Sequence, residues 1–273
     1  MSAWFLVIVL ALGYCSGVQG SAGILGFALG NKRGDGTCKS TADYREDLHA
    51  IKENTGSGIV RLYSAAECDS AAQLLPAARA QRFKVLLGVW PDTAESFAKD
   101  KSAIASVAPL YADDLYGISV GSETLYRKVF DGEQLLQKIV EIKNVLPEGV
   151  YRIGTADTWN KIADGTADAV IAHHDVNLIL ANAFAYWNPS SNPDETFRNQ
   201  MQRVKSHIER GGKQRVPGEI EIWTGETGWP SDGGSDNRES KASTSVAASY
   251  YRRTICGSVV DGMNIFAFEA FDE

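Results

Sequence analysis

Two glutamates stand where strand-like runs of residues end. Glu123 closes "LYGISVGSE", and Glu226 closes "EIEIWTGE" ahead of "TGWP". Glutamate is a poor strand former and is rarely buried without a partner. A carboxylate set between Gly225 and Gly228, with Trp229 three residues on, is therefore either a turn with a surface acid or a group placed for chemistry. Two carboxyl groups can share the cleavage of a glycosidic bond. One protonates the leaving oxygen, and the other attacks the anomeric carbon or activates water. The residues at the ends of the other runs suit the same task. They are Asn31, Tyr63, Trp90 with Asp92, Ser122, Asp157 with Trp159, Asn182 with Tyr186 and Trp187, Trp229, and Glu269 with Asp272. Indole and phenol rings stack on the apolar faces of pyranoses, while carboxylates and amides bind hydroxyls. Cationic groups look scarce among these positions.

The elements that must position these residues recur with a regular beat. Eight β-type runs start at Ile24, Gly58, Phe83, Leu115, Val150, Val176, Glu219 and Gly262, each separated from the next by helix-like sequence. "STADYREDLHAIKEN" opens with a Ser40-x-x-Asp43 capping pattern and places Tyr44, Leu48 and Ile51 at helical spacing. "GEQLLQKIVEIKNVL" carries a broad apolar stripe, and "ETFRNQMQRVKSHIERGG" ends in a glycine stop. Eight such units predict an α/β fold, a closed (β/α)8 TIM barrel of about 250 residues, with its last helix truncated. A doubly wound open sheet is the rival, but "GNKRGDGTCK" matches neither phosphate-binding glycine pattern. In a barrel, the strand C-terminal ends share one face, so Glu123 and Glu226 would meet across its mouth.

Composition narrows the remaining choices. A net charge of −7 without a dense Lys/Arg patch argues against nucleic acid as a partner. Residues 1–22 read as a secretory signal peptide, because the apolar run from Ala3 to Leu12 is too short to span a bilayer. A buried first helix is the alternative. Residues 23–273 then form a single catalytic domain, secreted to the cell exterior or wall, monomeric, with no membrane span and a C-terminus that reads as incomplete. Cys38 and Cys68 follow neighbouring strands and are placed to bridge. Cys256 is left either as a buried apolar residue or paired with a cysteine beyond Glu273. His173-His174-Asp175 reads as a surface turn, and no zinc spacing occurs, so neither metal nor cofactor is expected.

With these residues assembled, the chain resembles the fungal branch of glycoside hydrolase family 17, the endo-β-1,3-glucanases and β-1,3-glucanosyltransferases. "GILGFALG", "VRLYS", "GISVGSETLYR", "GETGWP" and "FEAFDE" carry the resemblance across nearly all of the chain after the leader. It implies a β-1,3-glucan substrate, Glu123 as acid/base and Glu226 as nucleophile of a retaining mechanism. From the strand-end residues, the expected sugar-binding set is Tyr63, Ser122, Asp157, Trp159, Asn182, Tyr186, Trp187, Trp229 and Glu269. Ser122 departs from the wider clan, which carries an asparagine there that contacts the sugar 2-hydroxyl. The competing function class is an inactive glucan-binding or structural wall protein on the same fold. A phosphate-handling cytosolic barrel is a more distant third.

Overall fold

A computed structural model describes residues 22–147, 152–211, 220–232 and 237–271. All but one of the leader residues, and Asp272, fall outside that set. Eight parallel strands close into a barrel in sequence order. They are β1 (Leu25–Ala28), β2 (Ile59–Arg61), β3 (Lys84–Val89), β4 (Leu115–Ser122), β5 (Ile153–Thr158), β6 (Leu178–Asn182), β7 (Glu221–Thr227) and β8 (Asn264–Ala267). Each strand lies in one of the eight runs read from the sequence, with β5 and β7 running one residue past theirs, to Thr158 and Thr227. The ring closes where Leu25, Gly26 and Phe27 pair with Ile265, Phe266 and Ala267.

The helices that cover the barrel are α1 (Thr41–Thr55), α2 (Ser70–Gln81), α3 (Ala94–Tyr111), α4 (Gly132–Lys143), α5 (Trp159–Ala163), α6 (Asp168–Ala172), α7 (Pro193–Gly211), α8 (Thr244–Tyr250) and α9 (Gly257–Val260). The Ser40 hydroxyl accepts from the Asp43 amide while Asp43 bonds back to the Ser40 N–H, so the capping pattern forms as a full box. Thr93 with Ser96, and Asp131 with Gln134, start α3 and α4 the same way. The main apolar layer lies between barrel and helices, where Leu48, Leu75, Ile104, Ile139, Val170 and Val204 are buried. None of the helices among the described residues is long and apolar enough to cross a membrane.

A second, smaller core fills the barrel itself. Ile59, Leu86, Ala156, Leu178, Leu180, Trp223 and Phe266 point inward. Trp223 stacks on Phe266 with centroids 4.6 Å apart, and the Tyr116 ring meets Trp223 edge-on. Below them Glu221, at the N-terminal end of β7, accepts from the Trp223 indole at 2.8 Å, from Arg152 at 2.7 Å and from the Tyr116 hydroxyl. The barrel is therefore plugged at its foot, and polar residues gather at the opposite, C-terminal mouth. Cys38 and Cys68 form a disulfide that joins the segments following β1 and β2. Cys256 is also disulfide-bonded, which removes the expectation of a free buried thiol.

Candidate active site

Glu226 sits near the end of β7 and is buried. A buried carboxylate needs a counter-charge, and Arg61 at the end of β2 provides it. Only 1% of Arg61 is exposed. Its Nη1 donates to Glu226 Oε1 at 3.2 Å and to the Gly225 carbonyl at 2.8 Å. Its Nη2 donates to the Ser122 hydroxyl at 3.3 Å, and its guanidinium lies 4.7 Å from the Tyr63 ring centre. The approach leaves no room for a side chain at position 225. A Cβ there would come within 2.7 Å of Asn182 Oδ1 and 3.2 Å of Arg61 Nη1. At Gly228 a Cβ would lie 2.1 Å from the Phe268 carbonyl oxygen. The two glycines flanking Glu226 exist for space.

Asn182 is the register partner of Glu226 on β6. It donates Nδ2 to Glu123 Oε1 at 3.0 Å and also acts on the Glu226 carboxyl, so its amide stands between the two carboxyl groups. Burial pushes Glu226 above the usual carboxylate range, Arg61 opposes this most strongly, and the charge of Glu123 adds to the rise. Tyr63 Oη is buried near Glu226 without meeting full hydrogen-bond geometry. Burial holds Tyr63 well above its ordinary pKa, against the pull of Arg61, and the negative charges of Glu226 and Glu269 reinforce the rise. Tyr63 is therefore a neutral phenol at any working pH.

Glu123 follows β4 with φ at 57°, the left-handed region that disfavours a side-chain-bearing residue. Gly121, just before it, has φ at 84°. The chain then forms a helical turn, with the Arg127 amide donating to the Glu123 carbonyl and the Val129 amide to that of Thr124. Three anchors hold the rim around it. Asp100 on α3 accepts from Ser64 Oγ, the Ala66 amide and the Trp90 amide, tying the segments after β2 and β3 together. Asp92, after β3, takes both Nη atoms of Arg127, which also donates to the Ser122 carbonyl at 2.9 Å and lies over Trp90. Asp157 on β5 accepts from the amides of Leu125 at 2.8 Å, Tyr126 at 3.2 Å and Thr158 at 2.8 Å. Burial pushes Asp157 up to about 6 despite those three donors, and the charge of Glu123 pushes the same way.

The residues read from the sequence divide between two places. Glu123, Glu226, Tyr63, Ser122, Asn182 and Glu269 gather at the mouth. Tyr186 is buried edge-on between Trp187 and Trp229, with centroids 4.9 Å and 5.3 Å away, and Trp187 is 67% exposed beside it. Trp229 is fixed by its indole N–H to the Lys241 carbonyl at 2.7 Å and by the ring of Tyr250. Two expectations need correction. Asp157 is fully buried and its oxygens are occupied by backbone amides, so it offers nothing to a sugar. Trp159 opens α5 and packs into the helix layer, where the Arg203 guanidinium of α7 lies 4.9 Å from its ring centre. The rim is also less poor in cations than it reads, because Arg61 and Arg127 both reach it. The sequence signal for Arg61 is an arginine between Val60 and Leu62 in a strand run, and it becomes decisive once the strand is known to point that residue into the mouth. At the other end of β6, His173 Nδ1 accepts from the Asp175 amide at 3.3 Å, so one ring nitrogen of the only metal-type cluster among the described residues is already engaged.

A (β/α)8 barrel with two linked glutamates at the ends of β4 and β7, beside an aromatic rim, defines a glycosidase-type catalytic fold. Residues 26–273 match the BtgE/BtgC glycoside hydrolase domain, and the chain belongs to that family. It is 43% identical to a glucan 1,3-β-glucosidase of Arthroderma benhamiae over 97% of this chain and 84% of that one. Identity to a glucan 1,3-β-glucosidase of Saccharomyces cerevisiae is 34%, over 96% and 85%. Among solved structures, an active-site mutant of the Rhizomucor miehei β-1,3-glucanosyltransferase in complex with laminaritriose superposes with a TM-score of 0.77. It is 26% identical and the match covers 93% of this chain and 89% of that one.

Proposed function

We infer that this protein is a β-1,3-glucan hydrolase and glucanosyltransferase that works through a covalent glycosyl-enzyme. The observation that carries the reading is the placement of Asn182 between Glu123 and the buried, arginine-paired Glu226. Glu123 protonates the leaving glycosidic oxygen as a Glu226 oxygen bonds to the anomeric carbon and the C–O bond breaks. Arg61 keeps Glu226 ionised against its burial before attack. Once the ester forms, the charge that Glu123 faced is gone, and Glu123 as a carboxylate takes the proton from the incoming acceptor hydroxyl. Retention requires the carboxyl groups to stand about 5 Å apart, with no water between them.

Water and a second glucan chain compete for the intermediate. The Tyr186–Trp187–Trp229 group offers a ring surface on which a glucan acceptor can be held and oriented, which raises its effective concentration. The high identity to glucan 1,3-β-glucosidases and the likeness to a glucanosyltransferase support both outcomes on this substrate class. The apolar leader supports export to the cell exterior or wall.

The test is incubation with reduced laminari-oligosaccharides at low and high concentration, with product sizing and anomeric analysis before mutarotation. We expect retained β-configuration, and chains longer than the substrate at high concentration. Inverted products would refute the covalent mechanism. Only shorter products would restrict the protein to hydrolysis, and no products at all would favour a binding role.

A further inference from the structure

The turn that Glu123 opens begins with the hydrogen bond of a helix start, then closes with an i+5 bond from Val129 to Thr124 instead of continuing as a helix. The Glu123 carbonyl accepts the first i+4 bond, from Arg127. Glu123 thus occupies the cap position, and Leu125 and Tyr126 are the second and third residues of the turn. Their amides are the two donors that a capping side chain at the first position normally satisfies. In this protein neither goes to Glu123. Both go to Asp157, which reaches across from β5 with one oxygen on each. The Glu123 carboxyl turns instead to Asn182 on β6.

We propose that Asp157 is a surrogate cap and thereby a positioning residue for the acid/base, taking the amides that would otherwise draw the Glu123 carboxyl back onto its own turn. The proposal rests on the reading of Glu123 as acid/base. Three features of the site support it. Asp157 is fully buried, and every polar contact recorded for its carboxylate is to the backbone of the Glu123 turn or to Thr158. Glu123 sits at φ 57°, in the left-handed region that disfavours a side-chain-bearing residue, so the turn needs holding from outside. The remaining anchor of this turn, Arg127, is a pure donor, to Asp92 and the Ser122 carbonyl, so Asp157 is the acceptor that the amides of Leu125 and Tyr126 have. With Asp157 removed, those two donors lose their acceptor, and the Glu123 carboxyl, carried by the residue that opens the turn, can leave Asn182 to take them.

The test compares Asp157→Ala, Asp157→Asn and Glu123→Gln with the parent on two substrates. One is a laminari-oligosaccharide, whose leaving group needs a proton, and the other is 2,4-dinitrophenyl β-laminaribioside, whose leaving group does not. Losing general acid catalysis costs about 10²–10⁴-fold on the first. We expect Asp157→Ala to fall about 10²-fold on the oligosaccharide while its dinitrophenolate burst changes less than about threefold. Azide should accelerate its turnover of the aryl substrate, with β-glycosyl azide as product, because the base step is impaired as well. Asp157→Asn keeps one acceptor oxygen and should fall between the two. Its ratio of oligosaccharide to aryl rates is independent of the folded fraction, so it decides the matter if the alanine variant does not fold. In a crystal of a folded variant, the Glu123 carboxyl should be bonded to the Leu125 or Tyr126 amide. An equal loss on both substrates without azide acceleration, or no loss on either, overturns the proposal. Glu123→Gln separates the two levels. If it shows no azide response, the acid/base reading itself fails. If it responds and both Asp157 variants do not, only the surrogate cap fails.

Discussion

Replacing Arg61 by methionine removes the charge while keeping most of the side-chain length. Arg61 is buried and contributes hydrogen bonds to the Gly225 carbonyl, Glu226 Oε1 and Ser122 Oγ. Breaking a buried ion pair by deleting one partner costs roughly 3–5 kcal/mol, because the other charge is left without compensation. For a domain of this size each kcal/mol moves Tm by about 2–4 °C, so the full penalty is roughly 6–20 °C. The penalty depends on pH. Glu226 is already raised by burial, and without Arg61 it rises further. Below the unfolded carboxylate pKa of about 4.3 the proton is bound in both states, and the loss of the guanidinium charge costs little. Above the raised folded value the bare carboxylate must stay buried and the penalty is complete. The Tm gap between parent and Arg61→Met should therefore open as pH rises from about 4 to about 8. The burst rate on an activated aryl laminaribioside should fall at least about 100-fold at pH 5 and recover in part at higher pH, where Glu226 ionises. Adding Glu226→Gln to Arg61→Met should restore part of the lost Tm at pH 7, a coupling that a double-mutant cycle reads directly. A Tm gap constant over the whole pH range, with no recovery in the double variant, would refute the assignment of Arg61 as the counter-charge of Glu226.

Two further outcomes follow from packing and from the cross-link between Cys38 and Cys68. Trp187→Ala removes a ring that is mostly exposed and should leave Tm within about 1–2 °C while lowering the ratio of transfer to hydrolysis, whereas Trp229→Ala loses the Tyr186 and Tyr250 contacts and an indole hydrogen bond and should cost about 3 kcal/mol or more. Equal Tm losses in both variants would contradict the distinction. Replacing Cys38 and Cys68 together by serine releases a bridge of sequence separation 30 and should cost roughly 3–4 kcal/mol by chain entropy, read as a shift in the urea midpoint; an unchanged midpoint would contradict it.

The barrel was legible in the sequence because its strands are short, apolar and bounded by turn residues, and because Ser40 and Asp43 announce the first helix. The two glutamates stood out as acids at strand ends. Arg61 did not, because a single cation within "VRLYS" reads as a solvent-facing residue until the strand is known to point it into the mouth. Asp157 and Trp159 failed for a related reason. Both stand at the β5 junction, where neighbouring residues turn either into the cleft or outward beneath the helices. Sequence spacing does not distinguish these directions, and it takes the turn after β4 and the face of α7 to decide between them. The surrogate cap is invisible for the same reason, since its donor amides and its acceptor lie 31 and 32 residues apart.

The rim anchors have a consequence for how such a protein can vary. Asp100 grips the segment after β2, Asp92 grips Arg127 after β4, and Asp157 grips the turn after β4. Each anchor belongs to a different βα unit from the segment it secures, so the loops overlap like roof tiles. A loop replaced alone arrives without its fastener, or leaves a neighbour's fastener gripping nothing. Exchange of substrate preference between relatives of this fold should therefore fail in blocks of one unit and succeed when the units these anchors join, from β2 to β5, are exchanged together. The heritable module of this active site is the seam between units.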